Sequence, residues 1–134
     1  MKYFYLLLMI FCINFSAISQ TGENRFVYEL SFEFNPNSSI SEAEKQFFIF
    51  YEGFKRSQFC TQAVAHQHHS GDRLDYKILA YTDSWDNIDD MMEEAQSYFA
   101  EQDPTMFTEP WKILHTGDAI YAVRKSLEEG YITK

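Results

Sequence analysis

From Phe26 to Phe34 apolar and polar positions alternate, with Phe26, Tyr28, Leu30, Phe32 and Phe34 in one set and Val27, Glu29, Ser31 and Glu33 in the other. A period of two puts the sets on opposite faces of a strand, one face strongly apolar. Asn35-Pro36-Asn37-Ser38 ends the strand with turn chemistry. Ser41 followed by Glu44 has capping-box spacing and predicts a helix from there to about Gln58, with Phe47, Phe50, Tyr51 and Phe54 as its apolar stripe. Thr61–His69 reads as extended, Ser70-Gly71-Asp72 as a turn and Arg73–Thr82 as the returning strand of a hairpin. Asp83 or Ser84 is expected to cap a second helix, with Asp86, Asp89 and Asp90 near its positive end. Trp85, Ile88, Met92, Ala95 and Phe99 then fall at helical spacing and face the sheet. Asp103-Pro104 stops that helix, and a loop runs through Pro110. Trp111–His115 reads as a short extended piece, Gly117-Asp118 as a turn, and Ala119–Lys125 as the last strand, leaving Ser126–Lys134 as a tail reaching toward a partner.

The order strand, helix, strand, strand, helix, strand is the split βαβ unit. It predicts an α+β, ferredoxin-like domain whose antiparallel sheet carries two helices on one face. The other face needs a cover, and a second copy of the chain supplies one, so a homodimer is expected.

The first residues follow a different pattern. Lys2 precedes the apolar run Tyr3–Ile13, and Ala17-Ile18-Ser19 are small or apolar, the layout of a signal peptide cleaved before Gln20. The run is shorter than the roughly 20 residues of a membrane span. No small-residue cysteine box follows Cys12, so lipidation is not expected. The sequence thus divides into a signal peptide, residues 1–19, and a single domain, residues 20–134, of a secreted or periplasmic protein that has no membrane attachment after cleavage. The 134-residue chain less these 19 is 115 residues long, and Cys60 is then its one cysteine, without a disulfide partner. A small exported domain without a disulfide draws its stability from aromatic burial and from an interface; the 13 Phe and 9 Tyr of the chain suit that. Loss of Lys2 leaves ten basic residues against twenty acidic ones. With no basic stripe, that balance repels a phosphate backbone and argues against nucleic acid as a partner. A small molecule is the expected ligand.

Leu79-Ala80-Tyr81-Thr82-Asp83-Ser84-Trp85 runs from a strand through small and acidic residues to a Trp that opens a helix, with Phe99 and Phe107 downstream. This resembles the third strand and second helix of the dimeric α+β barrel superfamily, whose commonest small members are antibiotic-biosynthesis-monooxygenase-like domains. In element order the resemblance spans nearly all of residues 26–125. It implies two sheets packed face to face and a pocket in each subunit. Members include cofactor-free oxygenases of phenolic substrates, haem-degrading oxygenases, isomerases and lyases of small acids, and proteins without a known reaction, so the fold does not fix the chemistry. The haem-degrading members pair the Trp with a His about ten residues later on the second helix. Here Ala95 stands in that place, and Arg25–Phe34 lacks the Asn those members carry on the first strand. Haem is therefore not expected, and the resemblance points to chemistry without a cofactor.

The residues themselves offer one constellation. His66 and His68 share a strand face, and His69 points the other way. Two imidazoles at that spacing hold zinc or copper only with a third ligand, for which Glu29 or Glu33 would have to share their face. Without a metal the same group suits proton transfer: His66 and His68 as bases, Glu29 orienting them, and Tyr81 (or Tyr76) donating to a developing oxyanion. Arg73, Lys77, Trp85 and His115 are the expected substrate-binding residues, the two cations suiting a substrate carboxylate. Cys60 reads as a small core residue. Three classes follow: a cofactor-free monooxygenase-like enzyme, a lyase or isomerase of a sugar acid or other carbonyl compound using a His/Tyr pair, and a non-catalytic ligand-binding module. No Gly-rich phosphate loop, nucleophile elbow or metalloprotease helix is present to suggest a hydrolase or nucleotide enzyme.

Overall fold

The computed structural model describes residues 24–68 and 75–124. They form strand β1 (Phe26–Phe34), helix α1 (Ile40–Arg56), strands β2 (Gln62–His68) and β3 (Asp75–Thr82), helix α2 (Asn87–Gln102), a 3-10 turn (Pro104–Phe107) and strand β4 (Ile113–Ala122). The four strands pair antiparallel in the order β2-β3-β1-β4. This is the α+β, ferredoxin-like arrangement expected from the pattern, with the sequence-distant β1 and β3 side by side in the middle.

The alternation along β1 is realised as predicted. Tyr28, Leu30 and Phe32 are buried beneath the helices, and Glu29, Ser31 and Glu33 face the other way. Across β1 on the helix side lie Tyr76, Ile78 and Ala80 of β3, all buried. α1 lays Ala43, Phe47, Phe50 and Phe54 onto this surface, and α2 adds Met91, Ala95 and Phe99. Phe32 packs against Phe47 and Phe50 at 6.3 and 5.3 Å between ring centres, and Tyr28 against Phe54 at 6.1 Å. Ring pairs at these separations add to the area they bury.

Several boundaries differ from the sequence reading, each for a local reason. α1 is capped by Ser39 rather than Ser41. The Ser39 hydroxyl accepts from the Glu42 amide at 3.2 Å, and Glu42 accepts from the Ser39 amide at 2.9 Å, a reciprocal capping box two residues earlier. Ser38 meanwhile donates to the Asn35 and Lys112 carbonyls, which closes the preceding turn. α2 begins after Asp86, whose side chain makes no capping bond, and its buried stripe is Ile88, Met91, Ala95 and Phe99, with Met92 half-buried. Trp85 lies ahead of the helix, half-exposed, with its ring edge-on to Phe26 at 5.8 Å.

The largest difference is at the end of the sheet. Gly117-Asp118 is no turn. β4 runs unbroken through it, and its pairing with β1 slips by one residue: Ser31 faces Gly117, Phe32 faces His115, and Thr116 is the extra residue of a β-bulge. The predicted turn at residues 70–72, and with it His69 and Arg73, lies outside the described residues, as do residues 1–19 and the tail. Among the described residues no helix is long and apolar enough to cross a membrane.

Candidate active site

Between the β1–β4 side of the sheet and the two helices lies a cavity of about 280 Å³. Its floor is Tyr28, Leu30 and Phe32 of β1. Phe50 and Phe54 of α1 and Met92, Gln96 and Phe99 of α2 form the roof, and Trp111, His115 and Asp118 close the β4 side. Phe50 meets Phe99 and Trp111 at 4.3 and 5.3 Å between ring centres, so the walls brace one another. The strand that carries the polar wall is tied down at its start. The Gln46 side-chain oxygen, buried on α1, accepts from the Lys112 and Ile113 amides at 2.7 and 3.2 Å. Asn35 donates to the Trp111 carbonyl at 2.6 Å.

The chemistry is concentrated on that wall. His115 Nε2 and Asp118 Oδ1 are 2.7 Å apart. In a regular strand residues three apart point to opposite faces. The bulge at Thr116 turns the second half of β4 by one position and brings both side chains to the cavity side. The His115 ring rests on Phe32, 5.5 Å between centres. Tyr28 reaches the same carboxylate from β1. Burial first, then the Asp118 charge and a hydrogen bond to it, push the Tyr28 phenol well above its ordinary value, so it stays a donor. A hydrogen-bonded carboxylate fixes the tautomer of an imidazole, and an imidazole so held can take and return a proton beside an apolar pocket.

The residues singled out from the sequence fall mostly elsewhere. His66, His68, Glu29, Lys77 and Tyr81 do share one sheet face, as the register His66–Lys77–Glu29's strand shows, but it is the face turned away from the helices and the cavity. There Lys77 donates to Glu29 at 2.6 Å, and this bond holds the Glu29 carboxyl below its usual range and the Lys77 ammonium above its own. His68 Nδ1 lies 3.9 Å from Asp75 Oδ2. No group of three His, Cys, Asp or Glu among the described residues is placed to hold a metal ion. Trp85 does not line the cavity, and of the expected set His115 alone does among the described residues. Cys60 is buried, its thiol pushed up to about 11 by burial, which leaves it inert at neutral pH. Tyr28, Asp118, Gln96 and Trp111 are not site residues by the sequence reading, which gave Tyr28 to the apolar face and Asp118 to a turn. The available signal was His115-Thr-Gly-Asp118, where a Gly inside a β-pattern marks a bulge as readily as a turn.

No protein-family model matches this sequence, and no curated protein matches it. Among solved structures, the chain is similar to a crystal structure of a mutant of SnoaB, a cofactor-independent oxygenase from Streptomyces nogalater. The identity is 15%, covering 80% of this chain and 100% of that one, with a TM-score of 0.52. A dimeric protein of unknown function with a ferredoxin-like fold from Bacteroides fragilis aligns at 10% identity over 73% of this chain and 94% of that one, with a TM-score of 0.44. At such identities the likeness is one of fold.

Proposed function

We propose that this chain is an exported, homodimeric, cofactor-free monooxygenase-like enzyme, and that its substrate is a small, largely apolar phenol or enol bound in the cavity between sheet and helices. The observation that carries the reading is the His115–Asp118 pair, 2.7 Å apart, on the β4 wall of a largely aromatic pocket. A substrate hydroxyl set against His115 gives up its proton to the imidazole, and Asp118 holds the ring in place and stabilises the imidazolium formed. The resulting anion is electron-rich and reduces dioxygen, the co-reactant. At an activated CH2, or a ring C–H para to the hydroxyl, one oxygen atom becomes a carbonyl. The other leaves as water with two hydrogens from the substrate. The fold it shares with a cofactor-independent oxygenase supports this choice of chemistry.

The sugar-acid lyase reading has less behind it. It needs a cation for the carboxylate, and among the described residues neither Lys nor Arg lines the cavity. The test is turnover of a panel of naphthols and hydroxyanthrones in air and under strict anaerobiosis. One dioxygen consumed per carbonyl formed is expected, with His115→Ala lowering kcat at least about a hundredfold. Product formed without oxygen would overturn the oxygenase reading, and tight binding with no turnover would make the chain a binding module.

A further inference from the structure

The polar wall of the cavity carries a single kind of fixed charge. Of the residues that line it, Asp118 is an acid, His115 is its partner, and the remainder are aromatic or aliphatic apart from Gln96. The basic residue of the sheet that pairs with a carboxylate, Lys77, is spent on Glu29 on the far face. We propose that Asp118 bars carboxylates from this cavity, a selectivity that rests on the cavity being the ligand site.

Both states of the wall give the same result. With His115 neutral, its Nε2–H donates to Asp118, the wall is net negative, and the other ring nitrogen accepts a ligand hydroxyl. With His115 protonated, the pair is neutral, and its positive charge already faces Asp118 at 2.7 Å. In neither state does a second carboxylate find a cation of its own. It would give up its hydration against Phe32, Phe50 and Trp111 and meet the Asp118 charge across the wall. A neutral hydroxyl keeps one good acceptor and loses little. The bulge is what creates the selectivity. Were Thr116 to take a regular place in the ladder instead of bulging out, Asp118 would point to the opposite face from His115, and the wall would hold a lone imidazole able to pair with an anion.

Two probes of one shape test this: 2-naphthol, neutral at neutral pH, and 2-naphthoate, anionic there, each titrated calorimetrically into the full mature chain. Wild-type protein is expected to bind the naphthol at least about tenfold more tightly, the scale on which a partly screened like charge acts. Asp118→Asn keeps an acceptor for His115 but removes the charge. It is expected to tighten naphthoate binding relative to naphthol binding by about that factor, so that the ratio of the two affinities approaches one. Tyr28→Phe, which removes a hydroxyl and no charge, is expected to leave naphthoate excluded. The readout is a ratio within one protein, so partial unfolding of a variant does not mimic it. Equal wild-type affinity for the two probes overturns the proposal, as does Asp118→Asn with its discrimination intact. If no variant and no wild-type protein binds either probe, the cavity itself is not the site, and the selectivity falls with it.

Discussion

Gly53 sits where α1 crosses α2, and its missing side chain sets how closely the helices approach. A Cβ there would overlap the edge of the Phe99 ring and come within 3.0 Å of the Ala95 carbonyl oxygen. Phe99 is held edge-on by Phe50 at 4.3 Å and Phe54 at 6.1 Å, so making room for the Cβ would break this packing and push the ring toward the cavity it lines. Alanine is favoured over glycine in a helix by about 1 kcal/mol, but overpacking a core costs about 1–3 kcal/mol. Gly53→Ala is therefore expected to destabilise the protein by about 1 kcal/mol or more in urea unfolding. An unchanged or raised midpoint would mean that Phe99 yields, and the cavity wall with it. At this scale the sequence was partly legible. The apolar partners of Tyr28 and Phe32 follow from alternation, whereas the pairing of Gly53 with Phe99, 46 positions away, depends on the helix crossing.

The elements were legible as elements, and their junctions less so. β1, α1, β2, β3 and α2 all occur where periodicity puts them, because each needs one apolar face against the same core. The ends depend on single hydrogen bonds, which is why Ser39 took the capping role expected of Ser41. One such junction carries a measurable electrostatic term. Glu94 of α2 accepts from the Ser57 hydroxyl at 2.7 Å, the Gln58 amide at 2.9 Å and the Gln58 side chain at 2.7 Å, which clamps the chain just beyond α1. Burial opposes ionisation here, yet these bonds outweigh it and hold the Glu94 carboxyl below its usual range. A group whose folded pKa is depressed stabilises the protein above its unfolded value, and the contribution disappears as pH falls through the folded value. Glu94→Gln is thus expected to cost about 1–2 kcal/mol at neutral pH. The gap between wild type and variant should close as the pH drops below the usual carboxylate range near about 4.3. A gap that persists unchanged in acid would assign the loss to packing rather than charge.

At the scale of the whole molecule the question is the sheet face without helices. It carries Val64, Leu79 and Tyr81, partly buried, and the exposed Leu114 and Tyr121, around the Glu29–Lys77 ion pair. Apolar side chains spread over an open sheet favour a cover, and a second copy provides an identical one by two-fold symmetry. Light scattering at micromolar concentration is expected to give twice the mass of one chain, and Tyr121→Asp to give a folded monomer. A wild-type monomer would place the stability of this small domain entirely in its aromatic core. His66 and His68 would then be ordinary surface residues, and in the dimer they would lie at or beside the interface.

The sequence by itself determined the class of the fold, its element order and which face of each strand is apolar, because those follow from periodicities of two and 3.6 that no distant contact has to correct. It also drew attention to histidines, since their titration chemistry is a property of the residue. Which histidine meets a cavity was decided only in three dimensions. His66 and His68 share a face as their spacing requires, but spacing cannot say which face the helices cover. His115 and Asp118, three apart and nominally on opposite sides, meet at 2.7 Å because β1 offers β4 a continuous edge, and Thr116 bulges out to follow it. The site rests on that slip of one residue in register, and register is a property of two strands together, not of either sequence segment alone.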